Sequence, residues 1–175
     1  MSAERILIAG AGGQGIVFIG KLLANAAISS TPHITFFPSY GAEVRGGDSS
    51  CQVILSTREI SSPVSREFDL MIVMNPASTA KFRPQLAPDG VAIVNSSLAR
   101  GTPCPCCVMV PATEEADRLG DQRVANLIML GTLLAHRRIV DPAQIEMLLR
   151  NLLAGNPVIL ARNLAAFNAG LAYTA

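Results

Sequence analysis

Three glycines near the start of the chain have the spacing of a phosphate-binding loop. Gly10, Gly12 and Gly15 form a G-x-G-x-x-G pattern between an apolar run at 5–9 and a helical pattern at 14–28. The first glycine permits a tight turn, the second lets a phosphate approach the backbone, and the third lets the helix pack on the strand. Backbone N–H groups at the start of that helix would then face an anion. The alternative is a glycine turn that serves packing alone.

A dinucleotide site requires more than this loop. NAD-binding proteins place an Asp or Glu about twenty residues further on, where it binds the ribose hydroxyls. No acidic residue lies between Glu4 and Glu43. An arginine that could accept the 2′-phosphate of NADP, Arg45, lies deep in the loop after the second predicted strand. The pattern therefore disfavours a simple dehydrogenase.

Short apolar runs alternate with helical patterns along the chain, which predicts an α/β fold. Strands are predicted at 5–9, 33–37, 51–55, 69–74, 91–94 and 106–110, and helices at 14–28, 77–86, from 113, at 123–137, from 142 to about 155, and from 157 to 171. Asp141-Pro142 and Asn156-Pro157 are typical helix starts, and Pro88-Asp89-Gly90 is a predicted turn. We expect a single Rossmann-like domain over residues 1–175, with a mostly parallel sheet flanked by helices and a helical C-terminal third.

Ligands of open α/β sheets bind at the carboxyl ends of the strands. This chain places polar and glycine-rich segments there: the loops at 10–15 and 39–47, Asn75 after the strand at 69–74, and residues 95–97 after the strand at 91–94. With Arg45 as its one strong cation, this edge suits a phosphate or pyrophosphate and offers no nucleophile–base pair. The two histidines, His33 and His136, fall at a strand start and a helix end, where structural roles are expected.

The composition favours a chain that has partners. Half of its 175 residues are apolar and 15% are charged, against roughly 25% charged in an ordinary soluble domain. Part of the surface is therefore expected to be buried against other chains. A net charge of +1 provides no basic face for nucleic acid, and the adjacent Arg137 and Arg138 are expected to stabilise a helix end. No membrane span or signal peptide is predicted, so the expected compartment is the cytoplasm.

Three of the four cysteines cluster in one short segment. Cys104, Cys106 and Cys107 lie together, whereas Cys51 stands apart. A metal or iron–sulfur site is one interpretation, but the segment lacks paired C-x2-C spacing, and adjacent cysteines of a strand point to opposite faces. We therefore expect structural cysteines, and no disulfide in a reducing cytoplasm.

Three segments stand out along the chain: GAGGQG at 10–15, SYGAEVRGG at 39–47 and VANLIMLG at 124–131. Together they resemble the gamma subunit of 2-oxoacid:ferredoxin oxidoreductases, in the 2-oxoglutarate/pyruvate:acceptor oxidoreductase family. Their order is that of the family, and the resemblance covers nearly the whole chain. The pairing of the first two segments is far more specific than a glycine pattern alone.

The resemblance implies a complex that oxidatively decarboxylates a 2-oxoacid on thiamine diphosphate, passes electrons through iron–sulfur clusters to ferredoxin, and forms an acyl-CoA. Thiamine diphosphate would lie between alpha and beta subunits, and the clusters in beta and, where present, delta. The gamma chain would carry no catalytic residue, metal or redox cofactor and would help to bind coenzyme A. The resemblance slightly favours 2-oxoglutarate over pyruvate, and the indolepyruvate branch stays open.

The resemblance also implies which residues form the site. They are Gly12, Gly13, Gln14 and Gly15 in the first loop, and Ser39, Tyr40, Gly41, Glu43, Arg45, Gly46 and Gly47 in the second. Asn75 is added to the predicted site because it follows a predicted strand at the same edge. The first loop would receive the anion and the second would complete the site. Glu43 and Arg45 have an alternative role as an internal ion pair that holds their loop in shape.

Two other functions stay open. A self-sufficient NAD(P)-dependent reductase would bind nicotinamide nucleotides. A stand-alone nucleotide-binding or scaffold protein would purify without alpha and beta subunits. When isolated, the chain could also form a homodimer that covers its apolar surface.

Overall fold

The computed structural model describes residues 3–40, 48–98 and 107–173. These residues form six strands and six α-helices, with short 3-10 helices at Arg83–Gln85 and Gln122–Val124. The strands are β1 (Ala3–Ala11), β2 (His33–Tyr40), β3 (Asp48–Ser56), β4 (Phe68–Val73), β5 (Leu86–Asn95) and β6 (Cys107–Val110). The helices are α1 (Ile16–Ala27), α2 (Pro76–Phe82), α3 (Ala112–Arg118), α4 (Ala125–His136), α5 (Pro142–Leu152) and α6 (Pro157–Leu171). The predicted α/β class is confirmed.

The six strands form one sheet in the order β2-β3-β1-β4-β5-β6. The pairs β1/β4, β4/β5 and β5/β6 are parallel, whereas β3 is antiparallel to both β1 and β2. The sheet is therefore mostly parallel, as predicted. The insertion of β3 between β1 and β2 was not predicted, because a periodic apolar pattern encodes neither the direction of a strand nor its neighbour.

The antiparallel strand β3 brings the end of β2 and its own start beside the end of β1. Ala11, at the end of β1, pairs with Asp48 at the start of β3, and Tyr40, at the end of β2, pairs with Ser49. Tyr40 and Asp48, the described residues on either side of 41–47, thus lie beside the point where the glycine loop begins. The end of β1, the end of β2 and the start of β3 therefore meet at one edge of the sheet.

Helices cover the two faces of the sheet unequally. One face carries the larger core, with buried side chains from α1, α3, α4, α5 and α6. The other face carries a smaller cluster that includes Leu7, Phe68 and Met71, with Phe82 of α2 packed against it. All residues of α4 from 125 to 134 are buried, which explains why apolar residues predominate on every side of this segment. Among the described helices, none has both the length and the apolar character to cross a bilayer.

Side-chain caps start three of the helices, each followed by proline at the first position. The oxygen Oδ1 of Asn75 accepts the N–H of Ser78 at 2.8 Å. Asp141 and Asn156 accept N–H groups of their own first turns at 3.2 and 3.1 Å. The helix starts predicted at Asp141 and Asn156 are confirmed, because a cap is a local signal that the sequence carries in full.

Two local expectations are wrong. Pro88, Asp89 and Gly90 lie within β5, where the register slips: Phe68 pairs with Leu86, whereas two residues later Leu70 pairs with Val91. An irregular strand tolerates residues that otherwise mark a turn.

The expectation about disulfides also fails. Cys107 is disulfide-bonded, because bonding depends on local geometry and not only on the compartment. Cys104 and Cys106 lie outside the described residues. Cys51 has a free, buried thiol, and burial raises the pKa of that thiol to about 12.

The arginine pair lies at the end of α4, as predicted. Arg137 is the C-cap residue of α4, and its guanidinium lies 2.9 Å from Glu4 at the start of β1. Glu4 is 5% exposed, and burial raises its pKa although Arg137 opposes this effect. Arg138 forms an ion pair with Asp141 at 3.4 Å. Arg137 therefore ties the end of α4 to the first strand.

Glycines let α4 and α6 pack backbone to backbone. A Cβ atom on Gly131 would lie 2.3 Å from the carbonyl oxygen of Phe167, and one on Gly170 would lie 2.1 Å from that of Ile128. Backbone atoms cannot rotate aside as a side chain can. The two glycines therefore set how deeply α4 lies in the core.

We expect Gly170→Ala to lower the free energy of unfolding by about 2 kcal/mol, because the added methyl forces the two helices apart. Gly155→Ala is the matched control, since no atom lies within 4 Å of its Cβ position. The control should change the free energy of unfolding by less than about 0.5 kcal/mol. Urea unfolding followed by circular dichroism measures both, and equal effects would contradict the close packing of α4 on α6.

Candidate functional site

The glycine loop connects β1 to α1 and contains two glycines in the left-handed region. Gly13 has φ 90° and Gly15 has φ 71°, a conformation that residues with a Cβ atom rarely adopt. Gly15 is the N-cap residue of α1, and no side chain caps that helix. Gly12 and Gly13 are exposed. The loop therefore presents backbone to solvent at the positive end of the helix dipole.

Gln14 folds back into its own loop. Its oxygen Oε1 accepts the N–H of Ala11 at 2.7 Å and lies 3.5 Å from Nδ2 of Asn75. Gly10 is needed here for space, because a Cβ atom on it would lie 2.5 Å from Oε1 of Gln14 and 2.9 Å from Cβ of Met74. The amide of Gln14 thus fixes the shape of the loop and links it to the end of β4.

Asn126 holds the loop from inside the core. It lies in the first turn of α4, is 5% exposed, and donates from Nδ2 to the carbonyl oxygens of Gln14 at 3.2 Å and Gly15 at 3.4 Å. A Cβ atom on Gly15 would lie 2.0 Å from this nitrogen. We did not predict this role. The available signal was a polar residue in the first turn of a largely apolar helix.

A cleft of about 260 Å³ opens beside the glycine loop. Residues from five segments at the carboxyl edge line it: Gly13, Gln14, Met74, Leu98, Thr113, Gln122, Arg123 and Ala125. The glycine loop forms one wall and the 3-10 turn before α4 forms another. The cleft therefore lies where open α/β sheets bind their ligands.

The buried side chain of Asn95 joins neighbouring segments at this end of the sheet by hydrogen bonds. It is fully buried, and its Nδ2 donates to Oγ1 of Thr113 at 2.8 Å and lies 3.4 Å from the carbonyl oxygen of Met74. Ser97 accepts the N–H of Glu114 at 3.1 Å. The polar residues predicted after the fifth strand therefore join β4, β5 and α3.

Arg123 is a cation on the cleft wall that sequence reasoning did not identify. Its Nε and Nη2 donate to the carboxylate of Asp121 at 2.9 and 2.7 Å, and its backbone N–H donates to the same group at 3.0 Å. Arg162 of α6 approaches that carboxylate at 3.5 Å. The hydrogen bonds from the Arg123 side chain and backbone hold the pKa of Asp121 well below its usual range.

The predicted site residues are only partly brought together. Gly12, Gly13, Gln14 and Gly15 form the loop beside the cleft, and Asn75 contacts Gln14. Ser39 and the backbone of Tyr40 lie at the end of β2. The remaining residues of the predicted second loop lie outside the described residues: Gly41, Glu43, Arg45, Gly46 and Gly47. The start of β2 and the end of α4 place His33 and His136 away from the cleft.

Almost the whole chain matches one family model. Residues 5–173 match the family described as pyruvate ferredoxin/flavodoxin oxidoreductase.

In residues 3–40, 48–98 and 107–173, no three His, Cys, Asp or Glu side chains come together as metal ligands would.

Named relatives fall into two length classes. Ketoisovalerate oxidoreductase subunit VorA of Methanothermobacter thermautotrophicus is 35% identical over 168 residues, which are 95% of this chain and 35% of that protein. 2-Oxoglutarate synthase subunit KorC of Archaeoglobus fulgidus is 34% identical over 149 residues, which are 83% of this chain and 76% of that protein. This chain thus spans about a third of the first relative and most of the second.

Solved structures share the fold. The gamma subunit of a keto/oxoacid ferredoxin oxidoreductase from Geobacter sulfurreducens is 28% identical, with a TM-score of 0.80 over 97% of this chain and 95% of that one. The 2-oxoglutarate:ferredoxin oxidoreductase of Magnetococcus marinus, solved with 2-oxoglutarate, coenzyme A and succinyl-CoA, is 22% identical. Its TM-score is 0.89 over 98% of this chain and 31% of that one.

We expect Gly15→Ala to destabilise the fold more than Gly13→Ala. Both substitutions place a Cβ atom at positive φ, which costs about 1 kcal/mol. Only the Cβ atom at Gly15 also meets Asn126, whereas one at Gly13 would meet no residue beyond its chain neighbours within 4 Å. In an Asn126→Ala background the excess should disappear. Urea unfolding of the four-member cycle measures it, and an excess that survives without Asn126 would rule out the contact as its cause.

The stability that Asp121 contributes should be lost on the acid side. Because folding lowers its pKa from 3.8, the contribution is complete above that pH and declines progressively below it. The difference in free energy of unfolding between the wild type and Asp121→Asn should therefore narrow as the pH falls below about 4. Urea unfolding from pH 7 to pH 2 tests this, and a difference that stays constant would contradict the assignment.

Proposed function

Because the chain belongs to the pyruvate ferredoxin/flavodoxin oxidoreductase family, we propose that it works as the gamma subunit of a 2-oxoacid:ferredoxin oxidoreductase. In this role it is a cytoplasmic chain whose residues 1–175 form one domain of an oxidoreductase complex. The likeness to a gamma subunit over 97% of this chain and 95% of that one supports the gamma-type role. The longer ketoisovalerate relative supports close association with further subunits, since there a matching segment is part of a larger protein.

The chain's own task is to bind the nucleotide end of coenzyme A. The observation that carries this proposal is the glycine loop, which exposes backbone at the N-terminus of α1 while Asn126 and Gln14 hold its shape. Exposed backbone at a helix start suits phosphate oxygens. Tyr40 and Asp48, which flank the second predicted loop, lie beside the first loop, and this supports the proposal that Tyr40, Gly41, Glu43, Arg45, Gly46 and Gly47 contribute to the same site.

The chemistry belongs to partner chains. Alpha and beta subunits, with delta where present, would supply thiamine diphosphate and iron–sulfur clusters and pass electrons to ferredoxin. This chain would bind and orient coenzyme A so that its thiol reaches the acyl group. We take 2-oxoglutarate as the first substrate to test, because the 2-oxoglutarate synthase subunit is similar over most of both chains.

We expect the purified full-length chain to bind coenzyme A, and Gly13→Asp to weaken that binding about tenfold relative to Gly13→Asn. The two variants have the same size and the same backbone requirement, and open space surrounds Gly13. They differ by one negative charge, which repels a phosphate at close range. Isothermal titration calorimetry with coenzyme A, NADH and NADPH provides the measurement.

The outcomes separate the alternatives. Nicotinamide binding without coenzyme A binding would replace the proposal with an NAD(P)-dependent reductase. If the isolated chain binds none of the three, the same pair of variants is compared by the KM for coenzyme A in the complex with the subunits that co-purify. Equal KM values there would contradict the proposed site, and absence of co-purifying subunits would contradict the subunit role.

A further inference from the structure

The cleft beside the glycine loop has two walls that attract anions by different means. One wall is Gly13 and Gln14 at the start of α1, where the attraction comes from backbone dipoles. The other is Gln122 and Arg123 at the turn before α4, where it comes from a guanidinium group. Met74 and Leu98 contribute apolar lining between them. A ligand with a single anionic group would use one wall and leave the other without a partner.

Arg123 is held in place before any ligand arrives. The carboxylate of Asp121 forms a bidentate ion pair with Nε and Nη2 of the guanidinium and also accepts the backbone N–H of Arg123. Asp121 is held in turn by Arg162 from α6. The pair leaves Nη1 of Arg123 for a ligand, on a side chain that is 79% exposed. A fixed guanidinium loses little conformational entropy on binding and recognises phosphate in a preferred direction.

The charges at this wall favour an anion. The formal charges of Arg123 and Arg162 exceed that of Asp121 by one, so the group as a whole is cationic. On the neighbouring helix α3, Glu115 is paired with Arg118. The cleft of about 260 Å³ is below the roughly 300–1,000 Å³ of pockets that enclose a whole small molecule. It therefore suits the phosphate-bearing part of a ligand whose remainder extends elsewhere.

We infer that Arg123 is a specificity-determining residue that binds the 3′-phosphate of coenzyme A, while the glycine loop binds the pyrophosphate. This inference rests on the proposed function, because it takes coenzyme A as the ligand. Coenzyme A carries two separate anionic groups, the pyrophosphate and the ribose 3′-phosphate, and the two walls match them in number and sign. The chain would then distinguish coenzyme A from 3′-dephospho-coenzyme A, which lacks only the second group.

The test compares the affinities of both compounds for the wild type, Arg123→Gln and Arg118→Gln. Arg118 is the matched control, because it is also exposed and paired with an acidic residue but does not line the cleft. Titration calorimetry is done on the full chain, or on the complex where binding requires it. Urea unfolding verifies that each variant is folded.

The wild type should bind coenzyme A about tenfold more tightly than 3′-dephospho-coenzyme A, as one charge-assisted contact allows. Arg123→Gln should abolish this preference by weakening coenzyme A alone, and Arg118→Gln should retain it. Equal binding of both compounds by the wild type, or an equal loss of both in Arg123→Gln, would overturn the assignment of Arg123 and leave the proposed function intact. Failure of the wild type to bind either compound, alone and in the complex, would instead remove the proposed function itself.

Discussion

The glycine loop keeps its shape because Asn126 reaches it from inside the core. The amide nitrogen donates to two successive carbonyl groups of the loop, and a buried amide in turn requires such partners. The amide of Asn126 and the loop carbonyl groups satisfy each other's hydrogen bonds, so the position of the loop and the position of α4 in the core are fixed together. That depth depends on the glycine contacts with α6. The cleft is a consequence, since its two walls are this loop and the turn that leads into α4.

Local signals in the sequence predicted much of the fold and little of the site. The strand–loop–helix at 3–27 and the caps at Asp141 and Asn156 follow from residues within a few positions of each other. The place of β3 does not, because strand order depends on contacts between distant segments. The contact of Asn126 with Gln14 spans 112 positions, and Arg123, although it directly precedes the segment at 124–131, has the appearance of any exposed arginine at a helix start. Residue type alone distinguishes neither from many other polar residues.

Polar groups at the carboxyl edge divide into two sets by exposure. The amides of Asn75, Asn95 and Asn126 are turned inward and join strand ends, loop and helix starts. An amide both donates and accepts, so it can join diverging backbone segments that have unlike needs. The exposed set, at the glycine loop and Arg123, faces the cleft. Buried amides that fix the backbone, together with exposed groups that face the cleft, suit a chain that binds one end of a ligand while partner chains act on the other end.

The two contacts that attach α4 to β1 together fix the position of the helix along the strand. At its start, Asn126 is bonded to the loop that ends β1; at its finish, Arg137 is bonded to Glu4 at the beginning of the same strand. Helix α4 and strand β1 therefore run antiparallel, and side-chain contacts join them at both ends. Sliding the helix by one residue, about 1.5 Å, would break both joints together. The length of α4, twelve residues, thus matches the distance between its two attachment points on β1. An insertion or deletion within α4 would therefore shift the glycine loop relative to the end of β1.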